Sequence, residues 1–282
     1  MYSRIKALLV ASVAATLSAC SPVGAINLLV PKSGYVAHRD LAYGSDPRQK
    51  LDIYVPAGAK GPMPVLLFFY GGAWQSGSRA DYRAVGQAFT SAGMVVAVAD
   101  YRLYPQVKYR GFAEDAAGAL AFLHAHAAQY GGDPNRLFVS GHSAGAYNAV
   151  MVASEPKFIE AKGGALAWIR GVIGISGPYD FLPMSDPVYI KMFEGTNNTD
   201  SMPLHHVDGP RPPMLLATGT DDGTVDQGNT DRMAAKLKSA GSEVKVIKYK
   251  GTGHIGIILS LVPGFRGKTS LRQDMIDFIR SH

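Results

Sequence analysis

A single cysteine in 282 residues, Cys20, excludes any internal disulfide, so the fold must hold by packing alone. Charge is also scarce. Only 18% of residues are Asp, Glu, Lys or Arg, and the 28 basic side chains form no Lys/Arg-rich run. The net charge of +6 is scattered, which gives no sign of a nucleic-acid-binding surface; the pI of 9.3 bears on solubility and weak attraction to anionic surfaces. No internal repeat and no low-complexity tract occurs, so solenoid and disordered architectures are not indicated. What the chain does have is apolar content: 47% hydrophobic residues and a mean hydropathy of +0.03. At this length such a composition predicts one globular domain with a large core.

The N-terminus reads as a leader. Arg4 and Lys6 precede an apolar stretch from Ala7 to Leu17, which is short for a bilayer span. Small residues then lead to Leu17-Ser18-Ala19-Cys20, which resembles the lipobox of bacterial lipoproteins. The resemblance implies a signal peptide over residues 1–19, cleavage before Cys20, and lipid on its sulfur and new N-terminus. Several acyl chains, at about 0.8 kcal/mol per buried methylene, would hold the protein at the membrane with no transmembrane helix. The expected location is therefore the bacterial cell envelope, at the outer membrane or periplasmic face rather than the cytoplasm. An ordinary secretory signal cleaved nearby is the alternative. Residues 20–34 read as the lipidated N-terminus and tether, and residues 35–282 as the folded domain.

Within that domain, strand-like and helix-like patterns alternate. Lys50 to Val55 alternates with period two, as a half-exposed antiparallel strand should. Val65 to Phe69 and Met94 to Val98 are continuous apolar runs, suited to parallel strands covered on both faces. Ala116, Leu120, Leu123 and Ala127 form a helical stripe that ends at Gly131-Gly132-Asp133-Pro134. Residues 182–211, rich in Pro, Asn, Asp and Gly with isolated aromatics such as Tyr189 and Phe193, read as a small lid-like insertion after the sixth strand. Ser270-Leu271-Arg272-Gln273 has a capping-box pattern at the head of a last amphipathic helix. The repeated strand–helix units predict an α/β fold: a mostly parallel central sheet with helices on both faces and chemistry beyond the carboxyl ends of the strands.

One motif lies at such an end. Gly141-His142-Ser143-Ala144-Gly145 follows the apolar run Leu137-Phe138-Val139 and precedes a small-residue helix. This is G-x-S-x-G, a strained strand-to-helix turn that presents a serine hydroxyl, with glycines where side chains would collide with neighbouring elements. Candidate partners follow in the order Ser, Asp, His. Ser143 is the expected nucleophile and His254, in a glycine-bordered loop, the expected base. For the carboxylate, Asp221 and Asp222 compete after the strand at Met214 to Ala217, with Asp226 nearby.

Taken together, Phe69-Tyr70-Gly71-Gly72-Ala73-Trp74, Asp100-Tyr101-Arg102-Leu103-Tyr104-Pro105, the serine motif, Gly219-Thr220-Asp221-Asp222 and Gly253-His254 resemble the α/β-hydrolase esterase/lipase family over roughly residues 35 to 282. The nearest relatives implied are bacterial carboxylesterases and feruloyl or acetyl-xylan esterases, with kynurenine formamidases further off. The resemblance implies an α/β-hydrolase fold and hydrolysis of small to medium acyl esters through an acyl-enzyme, with no cofactor and no metal. The family pattern G-T-x-D-x-x-V maps onto Gly219 to Val225 and selects Asp222. The oxyanion donors it implies are the N–H groups of Gly72 and Ala73, with Gly71 as a further candidate, and of Ala144 after the nucleophile. Two positions depart from the family: Tyr70 stands where His is usual, and Ala73 where a third Gly is usual.

Trp74 and Tyr179 are candidates to line the substrate pocket. The other histidines have structural readings. His142 packs away from the chemistry, His124 and His126 ride the exposed side of a helix, and His205-His206 lack the neighbouring ligands of a metal site. Asp180 reads as a structural hydrogen-bonding residue. The expected partners are a small-molecule ester and, through Cys20, a membrane, with no nucleic acid; oligomeric state is not encoded legibly. Two alternatives accompany the esterase reading. One is an arylformamidase-like amide hydrolase; the other is a non-catalytic, surface-anchored binding module on a hydrolase scaffold.

Overall fold

The continuous apolar runs become the interior of a single sheet. In the computed structural model, which describes residues 27–282, the strands are β1 (Tyr35–Ala42), β2 (Lys50–Pro56), β3 (Met63–Phe69), β4 (Val95–Ala99), β5 (Gly132–His142), β6 (Ile169–Ile175), β7 (Met214–Gly219) and β8 (Val244–Tyr249). The leader and Cys20 lie outside the described residues. The strand order is β1-β2-β4-β3-β5-β6-β7-β8. β2 runs antiparallel to both its neighbours, and every pair from β4 to β8 along the sheet is parallel. Val65 to Phe69 and Val95 to Ala99 are wholly buried, as two-sided coverage requires.

Helices cover both faces. On one, α1 (Arg83–Thr90) lies beside the C-terminal α8 (Leu271–Ser281), where Arg272 Nε donates to the Ala88 carbonyl at 2.9 Å. On the other are α2 (Tyr109–His126), α3 (Ala144–Ser154) and α6 (Gly228–Ser239). Every residue of α3 is buried. A helix apolar on all sides belongs in the middle of a protein, and its small residues let it lie close to β3, β5 and β6. The short helices α4 (Lys157–Glu160), α5 (Pro187–Met192) and α7 (His254–Leu259) sit in the connections.

Four local expectations are corrected. β2 is antiparallel but not half-exposed: Asp52, on the face expected to be solvated, is 3% exposed because Arg79 and the Asp40 N–H supply its bonds. The capping box before α8 does not form. Ser270 Oγ donates instead to Asp274 at 2.7 Å, and the Leu271 N–H goes to Thr269 Oγ1 at 3.2 Å. Ordered packing begins before residue 35, inside the expected tether. Asn27 Nδ2 donates to the Ala80 carbonyl at 2.7 Å, and Val30 is buried with Ala84 and Val262. Finally, His124 and His126 are half-buried rather than exposed, stacked on Trp168 and Phe122 respectively.

The stretch 182–211 contains α5 and two 3-10 turns, Thr199–Ser201 and Pro203–His206. Asp186 caps α5 by accepting from the Val188 N–H at 2.7 Å, with Pro187 at the first helical position. Met192, Phe193 and Met202 are fully buried, and Tyr147 of α3 donates to the Ser201 carbonyl at 2.7 Å. This segment therefore packs firmly beside the serine-bearing helix.

Candidate active site

Ser143 sits between β5 and α3 with φ 57° and ψ −123°, a conformation that a side-chain-bearing residue adopts only under constraint. Two close approaches impose it. A Cβ at Gly145 would lie 2.1 Å from the Phe69 carbonyl oxygen, and one at Gly141 would lie 2.2 Å from the Gly145 backbone. The turn is pinned by the Ser143 N–H, which donates to the Ile175 carbonyl of β6 at 2.9 Å. Strand, turn and helix thus hold one hydroxyl at the carboxyl edge of the sheet.

His254 opens α7 and borders the same cleft as Ser143. Its Nδ1 lies 2.8 Å from Asp222 Oδ2. The other oxygen, Oδ1, accepts from the N–H groups of Thr224 at 3.0 Å and Val225 at 2.9 Å. Burial alone would raise the Asp222 pKa; the Val225 N–H, His254 and the Thr224 N–H outweigh it and hold the carboxyl below its ordinary value. An ionised Asp222 accepts only, so Nδ1 of His254 carries the proton of this bond. Asp221, the rival in sequence, is exposed and takes a bond from Thr220 Oγ1 at 2.9 Å. Asp226 borders a cavity at Ser143, but its Oδ1 accepts from the Gly228 N–H at 2.9 Å at the start of α6.

The loop after β3 carries three successive residues with positive φ: Gly72 at 137°, Ala73 at 52° and Trp74 at 57°. At Ala73 and Trp74 that geometry costs on the order of 1–3 kcal/mol each, so the surroundings must enforce it. Tyr70, directly before this loop, is held by several partners. Its ring is stacked between Tyr82 and Tyr101. Its hydroxyl donates to Asp100 Oδ1 at 2.8 Å and accepts from Arg48 Nη2 at 2.7 Å. Burial, with Tyr101 and Asp100 beside it, raises its pKa far above the usual phenol value and keeps it a donor.

Arg79 holds the far side of this network. Its Nε donates to Asp52 at 2.9 Å, its backbone N–H to Asp100 at 2.7 Å, and its guanidinium also pairs with Asp100 and Asp40. Asp52 and Asp100 are both nearly inaccessible. Removing one member of a buried ion pair strands the other charge, at a cost of about 3–5 kcal/mol. Arg79→Ala is therefore expected to lower stability by about that amount in urea unfolding and to reduce turnover as the glycine loop loosens. A loss below about 1 kcal/mol would show that the network is not holding the loop.

Two cavities meet at Ser143. One, of about 310 Å³, is walled by Ala73, Trp74, Ala144, Phe181, Tyr189 and Val225. The other, of about 540 Å³, runs past Gly71, Gly72, Tyr82, His254 and Ile255. Ala73 and Ala144 line the smaller cavity with Ser143, and Gly72 and Ala73 the larger. Trp74 lines the smaller cavity and is fixed there, its Nε1 donating to Asn148 at 3.1 Å and its ring stacked on Phe112 and Phe181.

Tyr179 lies away from the position expected of it. It borders neither cavity; its ring is fully buried against Gly174 and Gly177 in the core. The backbone turns there because the N–H groups of Tyr179 and Asp180 both bond Asn229 Oδ1, at 2.9 and 2.8 Å. That turn brings Pro178 and Phe181, not Tyr179, to the cavity wall. Phe181 and Asn229 carried no sequence signal beyond lying near Tyr179 or in a helix. His205 lies 3.5 Å from Asp180, and His206 lies 2.7 Å from Glu155, so both histidines face carboxylates in structural pairs.

A family model described as BD-FAE matches residues 51–237. A probable isoprenylcysteine alpha-carbonyl methylesterase of Arabidopsis thaliana is 32% identical over 250 residues, covering 80% of this chain and 52% of the relative. Esterase LipC of Mycobacterium tuberculosis is 29% identical over 244 residues, covering 78% and 60%. The chain therefore spans about half to three fifths of the length of these curated relatives. Among solved structures, the butyrate-bound esterase Est2 of the planctomycete Thermogutta terrifontis superposes with a TM-score of 0.71 at 25% identity, covering 88% of this chain and 96% of that one. The parallel sheet, its sharp serine turn and a family match over most of the chain agree: this chain belongs to the BD-FAE family of α/β-hydrolase esterases.

Proposed function

We propose that this protein is a serine carboxylesterase that cleaves esters of small to medium acyl groups through an acyl-enzyme on Ser143. The observation that carries the reading is the Asp222–His254 bond at 2.8 Å, set beside a cleft that His254 shares with Ser143. His254 Nε2 takes the hydroxyl proton as Ser143 Oγ bonds to the carbonyl carbon. The N–H groups of Gly72, Ala73 and Ala144 receive the charge that develops on the carbonyl oxygen. One such donor is typically worth ~2.7–4 kcal/mol in the transition state. The intermediate collapses, the C–O bond to the alcohol breaks, and His254 returns its proton to the departing oxygen. Water, giving its proton to His254, then adds to the acyl carbon; the C–O bond to Ser143 breaks, His254 returns the proton to Ser143 Oγ, and the carboxylic acid leaves. Asp222 holds the correct imidazole tautomer and stabilises the imidazolium.

His254 must stand beside the leaving oxygen, so the cavity that contains it receives the alcohol and the other receives the acyl group. The acyl side is the smaller, closed by the Trp74, Phe181 and Tyr189 rings. The solved relative with butyrate bound supports the same size range. Across p-nitrophenyl acetate, butyrate, octanoate and laurate, kcat/KM is expected to peak at acetate or butyrate and fall about tenfold or more by laurate. A maximum at laurate would overturn the size assignment. Failure of a fluorophosphonate probe to label Ser143 would overturn the serine-esterase reading itself.

A further inference from the structure

His142, beside the nucleophile, belongs to a different contact set from the one its place in the sequence suggests. It is 2% exposed, and its Nε2 lies 2.9 Å from the backbone carbonyl oxygen of His254. A carbonyl only accepts, so Nε2 carries the proton and His142 is the donor. Its ring lies 4.7 Å from the His254 ring, centroid to centroid. On the opposite edge, Nδ1 is buried with no hydrogen-bond partner, and a Cβ built on Gly71 would come within 3.2 Å of it. One side chain therefore touches three elements that carry the chemistry: the serine turn through its own backbone, the glycine loop at Gly71, and the loop of the base.

We propose that His142 is a positioning residue, whose Nε2–H bond to the His254 carbonyl clamps the loop of the base onto the serine turn. The inference rests on the assignment of Ser143 and His254 given above. The carbonyl belongs to His254 itself, so the bond restrains the residue whose imidazole must reach Ser143, at the start of a helix only six residues long. Without the clamp, α7 is free to shift relative to β5, and misplacement of a base by about 1 Å can cost roughly a hundredfold in rate. Burial, followed by the neighbouring His254, pushes the His142 imidazole down to about 3. It therefore stays neutral while His254 takes up its proton, and adds no like charge beside the imidazolium.

The test compares two substitutions that differ in one donor. His142→Met has similar bulk and no N–H, whereas His142→Gln can place an amide N–H where Nε2 stands. With p-nitrophenyl butyrate, the Met variant is expected to lose about 10- to 100-fold in kcat with KM within about twofold, because substrate binding does not need the base. The Gln variant is expected to recover kcat to within about threefold of the original protein. Should the Met variant not fold, His142→Asn, whose amide is too short to reach the carbonyl, takes its place with the same expected loss. Equal kcat in the donor and non-donor variants, or a loss confined to KM, overturns the positioning role. Ser143→Ala assayed alongside separates the two levels of the argument: turnover surviving there sinks the assignment on which the inference rests, whereas a dead Ser143→Ala with an unaffected His142→Met sinks the inference alone.

Discussion

Ser143→Ala is expected to lower kcat for p-nitrophenyl butyrate by about 10⁶-fold, the scale on which serine hydrolases respond to loss of the nucleophile. In the proposed mechanism the hydroxyl oxygen is the atom that bonds to the acyl carbon. A residual rate above that of buffer should persist, since the backbone donors of the glycine loop and the two cavities remain to bind and polarise the substrate. The fold should be intact, because the Ser143 backbone bonds to Ile175 and within the first turn of α3 involve no side-chain atom. The check is steady-state kinetics beside thermal unfolding. A variant that keeps a tenth of the original kcat would rule out acyl transfer through this serine.

Asp222→Asn should be nearly as severe in rate while sparing structure, with kcat falling by about 10⁴-fold. The Asn carbonyl oxygen can still accept from Thr224 and Val225, so the loop keeps its shape. The amide nitrogen then faces His254 Nδ1 and donates to it. That forces the proton of the neutral imidazole onto Nε2, the atom that must be bare to accept from the serine. Its neighbour makes the comparison clean. Asp221→Asn, altering an exposed side chain bonded to Thr220, should leave kcat within about twofold, and proton NMR of the imidazole should report the changed tautomer in Asp222→Asn only. Equal losses in the two variants would mean that the carboxylate at 222 does not orient the base. The carboxyl of Asp222 is held below its ordinary pKa, so its contribution to stability is fully present above the ordinary value and is lost as pH falls through the lowered one.

Much of this arrangement was legible before any coordinates, and the legible parts share a cause. The serine turn is a local device: Gly141 and Gly145 are demanded by backbone approaches within a few residues of Ser143 and its neighbouring strand, so the motif announces its own geometry. The buried strands show themselves as uninterrupted apolar runs, and α3 as a run of small residues. Tyr179, by contrast, is a pocket candidate by its position in the chain, yet the turn made by Asn229, some fifty residues away, sends it into the core and Phe181 to the wall. The capping pattern at Ser270 failed for the same kind of reason, since Asp274 on the next turn competes for the hydroxyl and Thr269 takes the free N–H.

Sequence by itself determined the architecture and named the candidate hydroxyl, imidazole and carboxylates, because periodicity and tight turns depend on neighbours along the chain. Tertiary structure alone decided the rest: the bond of Asp222 to His254 within this protein's own loops, the anchoring of Tyr70 by Asp100 and Arg48, the burial of Asp52 against Arg79, and the reach of His142 to the His254 carbonyl. Each joins segments between about twenty and more than a hundred residues apart. Hydrogen bonds and ion pairs of that kind leave no periodic trace in a chain; they exist only once the sheet has brought its loops to one edge.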